Sequence, residues 1–191
     1  MPSPSKKEQS HERILRSASR AIRREGYQGV SVADIMKEAG LTHGGFYAHF
    51  PSREALLTEA LETAGAESLR ALTNAIQQAA AHEGLEALLD TYLSDTHAKH
   101  PEQGCSLAAL GSETRRQSSE VRAVTTRQVQ KMLELLESQL PAGEASQRSE
   151  RAMAALSTMV GALLISRAVN DTRLAKSFRT AAKQAVNPKR R

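Results

Sequence analysis

Apolar residues recur along this chain at spacings of three and four, and almost nowhere alternate with polar ones. That pattern predicts helices separated by short polar breaks. Ile14, Leu15, Ala18, Ala21 and Ile22 form one face of a first helix over 11–25, and Gly26 ends it as a left-handed cap. Ser31 is placed to cap a second helix, with Asp34 three residues on in a capping-box-like position. Val32, Ile35, Met36 and Ala39 are its buried face, and Gly40 stops it. Leu41 plugs the turn, Thr42 is placed to cap a short third helix, and Phe46, Tyr47 and Phe50 follow. Pro51 breaks that helix and Ser52 caps the next.

The rest of the chain reads the same way. Residues 52–80 predict one long helix, or two with a kink near Gly65. His82–Gly84 is a turn, and Leu85, Leu88, Leu89, Tyr92 and Leu93 mark the next helix. The stretch 97–104 is a break punctuated by Pro101 and Gly104. A shorter helix runs from Cys105 towards Arg116. Long helices are expected at 119–140 and 146–169, separated by Pro141, Ala142 and Gly143, and a last one over 172–186. The fold class is therefore all-α.

Composition narrows the reading only a little. The chain has 191 residues, 40% of them hydrophobic and 25% charged, ordinary values for a globular protein. Its net charge is +5, of which residues 1–54 carry +3, so the basic excess is densest at the N-terminus. That suits a polyanionic partner without proving one. No apolar stretch approaches the ~20 residues that span a bilayer. No signal-peptide core follows the polar, basic start, and a single cysteine cannot form an intrachain disulfide. A cytoplasmic, nucleoid-associated protein without membrane attachment is expected.

Residues 31–50 have the parts of a helix-turn-helix: two helices, a tight turn at Gly40, and a second helix short and thin enough to enter a major groove. Gly44 and Gly45 each cost roughly 1 kcal/mol against alanine inside a helix, which implies a steric reason for them. Thr42, His43, Tyr47 and His49 are left as polar groups suited to phosphate oxygens and base edges. His49 serves equally well to orient a neighbour. Ser31 opens the motif, and Arg53 starts the next helix, whose positive end favours a phosphate.

On these residues the stretch Ile14–Leu57 resembles the DNA-binding domain of TetR/AcrR-family repressors. The matching segments include Gly26-Tyr27, Val32-Ala33-Asp34-Ile35, Ala39-Gly40-Leu41-Thr42, Gly44-Gly45-Phe46-Tyr47-Ala48-His49-Phe50 and Arg53-Glu54-Ala55-Leu56-Leu57. Pro51-Ser52-Arg53 departs from the usual pattern, where Lys or Asn is commoner. The resemblance implies that Tyr47 and Arg53 touch phosphates, and that Thr42, His43 and Gly44 face bases. It implies a three-helix DNA-binding domain followed by a larger helical domain that binds an effector and dimerises. The expected division is a flexible basic arm (1–10), a DNA-binding domain (11–57), an effector-binding and dimerisation domain (58–187) and a basic tail (188–191). The expected partners are a double-stranded DNA operator, a small-molecule effector and a second copy of the chain. A two-fold dimer would match a palindromic operator. Helices 119–140 and 146–169 are the expected interface, since the latter sets Ala152, Ala154, Ala155, Gly161 and Ala162 beside large aliphatics.

Four of the six aromatic residues lie in the DNA-binding part, so a small or aliphatic effector is expected. Tyr92 and Phe178 remain for its pocket, with Leu110, Met132 and Cys105. Gly104-Cys105-Ser106 resembles a Gly-Cys segment found in one branch of the family. A thiol near a helix N-terminus is favoured as thiolate, which suggests a sensor of electrophiles or oxidants. The same residue also reads as a small buried apolar group. His97 and His100 lack the further ligands a metal site needs, so neither metal nor cofactor is expected. No phosphate loop, paired carboxylates or nucleophile elbow points to an enzyme. An activator, or a DNA-binding protein of this fold without an effector, remains an alternative.

Overall fold

Helix carries the whole architecture, as the periodicity requires. The structure is a computed structural model that describes residues 5–141 and 144–188. Among those residues the order is α1 (Lys6–Glu25), α2 (Val32–Glu38), a 3₁₀ segment (His43–Ala48), α3 (Arg53–Gln78), α4 (Gly84–Tyr92), α5 (Asp95–Lys99), a 3₁₀ turn (Pro101–Gln103), α6 (Ser106–Thr114), α7 (Ser119–Gln139), α8 (Ala145–Ala168) and α9 (Thr172–Val186), with no strand. None of these helices is long and apolar enough to cross a membrane.

Capping residues set most of the boundaries. Ser31, Ser52 and Ser118 each accept a backbone N–H of their helix, and Asp171 accepts two at the start of α9. Ser5 does the same for α1, and here the box is complete. Ser5 Oγ accepts from Glu8 N at 3.2 Å, and the Glu8 carboxylate accepts from Ser5 N at 2.6 Å. Residues 5–10, expected in a flexible arm, are therefore helix or its cap. Residues 1–4 of that arm, Ala142 and Gly143 of the expected break, and residues 189–191 of the tail lie outside the described residues. The stretch 97–104 is more ordered than expected, because Ser94 caps α5 and Pro101 starts a 3₁₀ turn. α3 runs unbroken through Gly65. Gly26 has φ +80° and ψ 171°, an extended mirror-image conformation open mainly to glycine rather than the expected left-handed helical cap.

Two apolar cores follow. The first joins Ile14, Ala18 and Ile22 of α1, Ile35 and Met36 of α2, Phe46 and Phe50, and Leu56, Leu57 and Leu61 of α3, with Leu110, Val121 and Val124 closing it from α6 and α7. The second joins Leu72, Leu88, Leu89, Tyr92, Cys105, Met132, Leu136, Leu156, Met159 and Leu163. α3 contributes to both, so the boundary expected near 57 falls inside a continuous helix.

Candidate functional site

The helix-turn-helix forms from residues whose backbone needs are met locally. Gly40 takes φ +69° at the end of α2, and Leu41 N returns to Met36 O over 2.9 Å. The chain then winds into His43–Ala48 as a 3₁₀ segment rather than an α-helix. Phe46, 2% exposed, pins that segment to the first core, with its ring 5.8 Å from that of Phe50. Thr42 precedes the segment in extended conformation but makes no capping hydrogen bond, and it is exposed with His43 and Gly44. Tyr47 is 74% exposed, the most exposed of the large hydrophobic side chains that lie open to solvent.

The glycines at this edge are informative. A side-chain carbon at Gly44 would meet nothing within 4 Å, and one at Gly45 would make only ordinary contacts of 3.8 Å with Met36 and Thr42. Neither glycine has a positive φ. Neither the space nor the backbone conformation of the fold therefore demands glycine there.

Ser31 caps α2, donating its hydroxyl to Asp34 Oδ2 at 2.5 Å and accepting from Asp34 N at 3.1 Å. Arg53 turns inward: Nη2 donates to Tyr27 O, and to Val30 O at 3.3 Å. It ties the start of α3 to the α1–α2 loop. His49 is half-buried, its ring centroid 6.0 Å from that of His11, and burial together with His11 and Lys7 lowers its pKa. Its Nδ1 has no hydrogen-bond partner among the described residues. His11 in turn holds Glu59 of α3 at 2.9 Å and stacks on Phe50.

A cavity of about 580 Å³ opens between α3, the start of α6, and α7. Leu69, Leu107, Val124, Val129, Met132 and Leu156 give it apolar walls. Arg70, Arg127 and Lys131 make the polar lining cationic, with Glu62 pairing Arg127 at 2.7 Å. No aromatic side chain lines it. Of the residues expected at an effector site, Cys105 and Met132 line this cavity. Tyr92 lines a neighbouring one of about 180 Å³. Leu110 belongs to the first core, and Phe178 is half-buried on α9, away from both cavities.

Around Cys105 the structure gathers groups that periodicity does not reveal. The Cys105 amide donates to His97 Nε2 at 2.9 Å, so that nitrogen carries no proton and Nδ1–H donates to Tyr92 O at 2.5 Å. His97 is thus neutral, its pKa lowered to about 4 by burial, with Arg167 and Arg23 adding to the effect against the Tyr92 hydrogen bond. Arg167 donates to the carbonyls of His97 and Ala98 at 2.7 and 3.3 Å. The hydroxyl of Tyr92 and Nη1 of Arg167 are buried without a hydrogen-bond partner among the described residues. His100 pairs instead with Glu102 at 3.1 Å. The Gly-Cys pair itself has a steric origin, because a side chain at Gly104 would overlap the His97 ring.

Comparison with known proteins agrees with this geometry. Residues 14–60 match the family described as bacterial regulatory proteins, tetR family. Residues 81–184, more than half of the chain, match the C-terminal domain of LmrA/YxaF-like transcriptional regulators. The chain is 26% identical to the HTH-type transcriptional regulator LmrA of Bacillus subtilis over 170 residues, 86% of this chain and 90% of that one. It is 33% identical over 103 residues to an HTH-type regulator of Mycobacterium tuberculosis, covering 53% of this chain and 52% of that one. YfiR of Bacillus subtilis is 29% identical and covered over 42% of its length, so the chain spans about half the length of these last two curated relatives. In fold it is similar to a TetR-family regulator of Cytophaga hutchinsonii, with TM-score 0.83, 19% identity and 98% of each chain covered. It is also similar in fold to reduced Escherichia coli NemR, with TM-score 0.76, 20% identity, and 94% and 95% covered.

Proposed function

This chain belongs to the TetR family of bacterial transcriptional regulators, and we propose that it is a repressor released from a palindromic operator by a small-molecule effector. The observation that carries the DNA-reading half is the pair Gly44 and Gly45. The fold leaves room for a side chain at both, and glycine loses more backbone freedom than alanine when the segment is fixed. What excludes a side chain is then something that approaches from outside, and a major groove is such a surface. Thr42, His43 and Gly44 stand open to face base edges, and Tyr47 to reach a phosphate. Arg53 works from behind, holding the α1–α2 loop. Ser31 acts chiefly as a cap and His49 chiefly as a packing partner of His11.

The cavity between α3, α6 and α7 is the effector site in this reading. Its volume falls within the range of ~300–1,000 Å³ typical of small-molecule sites. Without aromatic walls it suits a small or aliphatic molecule, and its cationic lining favours one with an acidic or strongly polar end. Cys105 on its wall is the electrophile-sensing group: its sulfur adds to an activated alkene, the C–S bond replacing the C=C π bond while the thiol proton ends on the adjacent carbon. The occupied cavity then favours a dimer whose reading segments are wrongly spaced for DNA. Such a dimer acts in the cytoplasm, on the nucleoid.

Pairing between copies is supported at α8 and α9 rather than at α7. Apart from Tyr47, the large hydrophobics exposed among the described residues are Met153 and Leu164 of α8 and Leu174 of α9. Phe178 lies one turn beyond Leu174, and a side chain at Gly161 would meet nothing within 4 Å.

Selection of DNA duplexes from a random pool by the purified protein tests the main reading. The expected result is one enriched palindrome with half-sites about one helical turn apart. A pool that shows no enrichment would sink it. N-ethylmaleimide tests Cys105: it should weaken binding to the selected duplex in the wild type and not in Cys105→Ser.

A further inference from the structure

The effector cavity and the DNA-reading end meet at three consecutive residues, Gly104, Cys105 and Ser106. Each contacts a different part of the protein. The Gly104 carbonyl accepts from Arg23 Nη1 of α1 at 2.9 Å. The Cys105 amide is held by His97. Ser106 Oγ donates at 2.7 Å to Oε1 of Gln128, a residue of the cavity wall. Gln128 in turn donates through Nε2 to Leu61 O of α3 at 2.5 Å. A side chain at Gly65 would overlap the Gln128 amide, so that glycine makes room for the link.

Arg23 is built to transmit rather than absorb movement of this junction. Its side chain is wholly buried. Nε donates to Ser19 O at 2.9 Å, and Nη2 to Ser19 Oγ at 2.7 Å and Glu67 Oε2 at 2.6 Å. A planar guanidinium held on every side has no rotamer to escape into. If the Gly104 carbonyl moves, either α1 follows or a buried charged donor is stranded, which is costly. α1 carries Ile14, Ala18 and Ile22, the wall on which α2 and the His43–Ala48 segment rest.

We propose that Arg23 is the positioning residue that carries the state of the cavity to the DNA-reading segment, by way of Gln128, Ser106 and Gly104. The proposal rests on the reading of the cavity as the effector site and of His43–Ala48 as the DNA reader. A ligand that claims the Gln128 amide frees Ser106, the junction shifts, and Arg23 pulls on the last turn of α1.

The relay is tested without an effector, by a double-mutant cycle on the full chain. The proteins are wild type, Gln128→Ala, Arg23→Lys and the double variant. Two quantities are read: affinity for the duplex selected by the wild type, and amide hydrogen exchange over residues 20–30. Gln128→Ala should weaken DNA binding at least fivefold and speed that exchange by a similar factor. Both effects should fall below twofold once Arg23 is Lys. Independent structural roles would give additive effects, and additivity overturns the relay. So does a Gln128→Ala protein that matches the wild type in both readouts. If Arg23→Lys shows no cooperative melt, Glu67→Gln replaces it with the same expectation. A wild type that selects no duplex counts against the DNA-binding reading, while the exchange measurement still decides the relay.

Discussion

The amide of Cys105 donates to Nε2 of His97 over 2.9 Å, and this one bond fixes the protonation state of a partly buried ring. The ring is neutral with its proton on Nδ1, and its pKa lies near 4 against 6.5 when free. Between those values the unfolded chain binds a proton that the folded chain refuses. Stability from this group is therefore full above pH 6.5 and is lost as pH falls towards 4. The gap is worth at most about 3 kcal/mol. Urea midpoints taken from pH 7.5 down to 4.5 should fall in the wild type. His97→Gln should be less stable at pH 7.5 but show a flatter profile over that window. Equal slopes for the two proteins would contradict the assignment.

Gly44→Ala should separate folding from DNA binding. The added methyl meets nothing in the protein and removes a glycine from a helical segment. The melting temperature should hold or rise slightly, while affinity for the selected duplex falls at least tenfold. A variant that binds normally would show that this edge does not approach DNA.

The helices and the helix-turn-helix were legible in the sequence because their signals are local. Ser31 and Ser52 cap where a capping residue is expected, and Gly40 turns where a turn is needed. The Ser5–Glu8 box was equally local, but Pro2 and Pro4 beside it made the segment read as an arm. Arg23 and Gln128 could not be found this way. Their partners lie 81 and 67 residues away, at Gly104 and Leu61, and a buried arginine looks in sequence like one more residue of a basic helix face. Gly65 and Gly104 were visible as glycines, but the side chains they make room for were not. Phe178 is expected in a pocket because aromatics are scarce, and it is half-buried on α9, outside the lining of the two cavities described.

The family resemblance implies that Tyr47 and Arg53 both touch phosphates, and their surroundings divide them. Tyr47 is largely exposed, so Tyr47→Ala should weaken DNA binding about tenfold with little change in melting temperature. Arg53 donates to two loop carbonyls, so Arg53→Ala should cost about 1–3 kcal/mol in stability as well as weaken DNA binding. Chemical denaturation of both variants checks the difference. An Arg53→Ala protein as stable as the wild type would return that residue to the role of a surface phosphate contact.

The exposed face of α8 and α9 gives the last test. Met153 and Leu164 are eleven residues apart, about three turns, and so lie on one side of α8. Each leaves about half of its side chain in water, which is unfavourable for apolar groups unless a partner covers them. Leu174 adds an exposed apolar side chain on α9, and a side chain at Gly161 would meet nothing within 4 Å, which leaves room for another helix. A charge placed here would be stranded in the centre of a dimer but would sit in water on a monomer. Met153→Glu and Leu164→Glu should therefore sediment at half the mass of the wild type and keep the far-ultraviolet signal of a helical protein. They should also lose affinity for the full palindrome while binding a half-site no worse than a wild-type protomer does. If both variants sediment like the wild type, the copies meet elsewhere, and α7 becomes the next face to test.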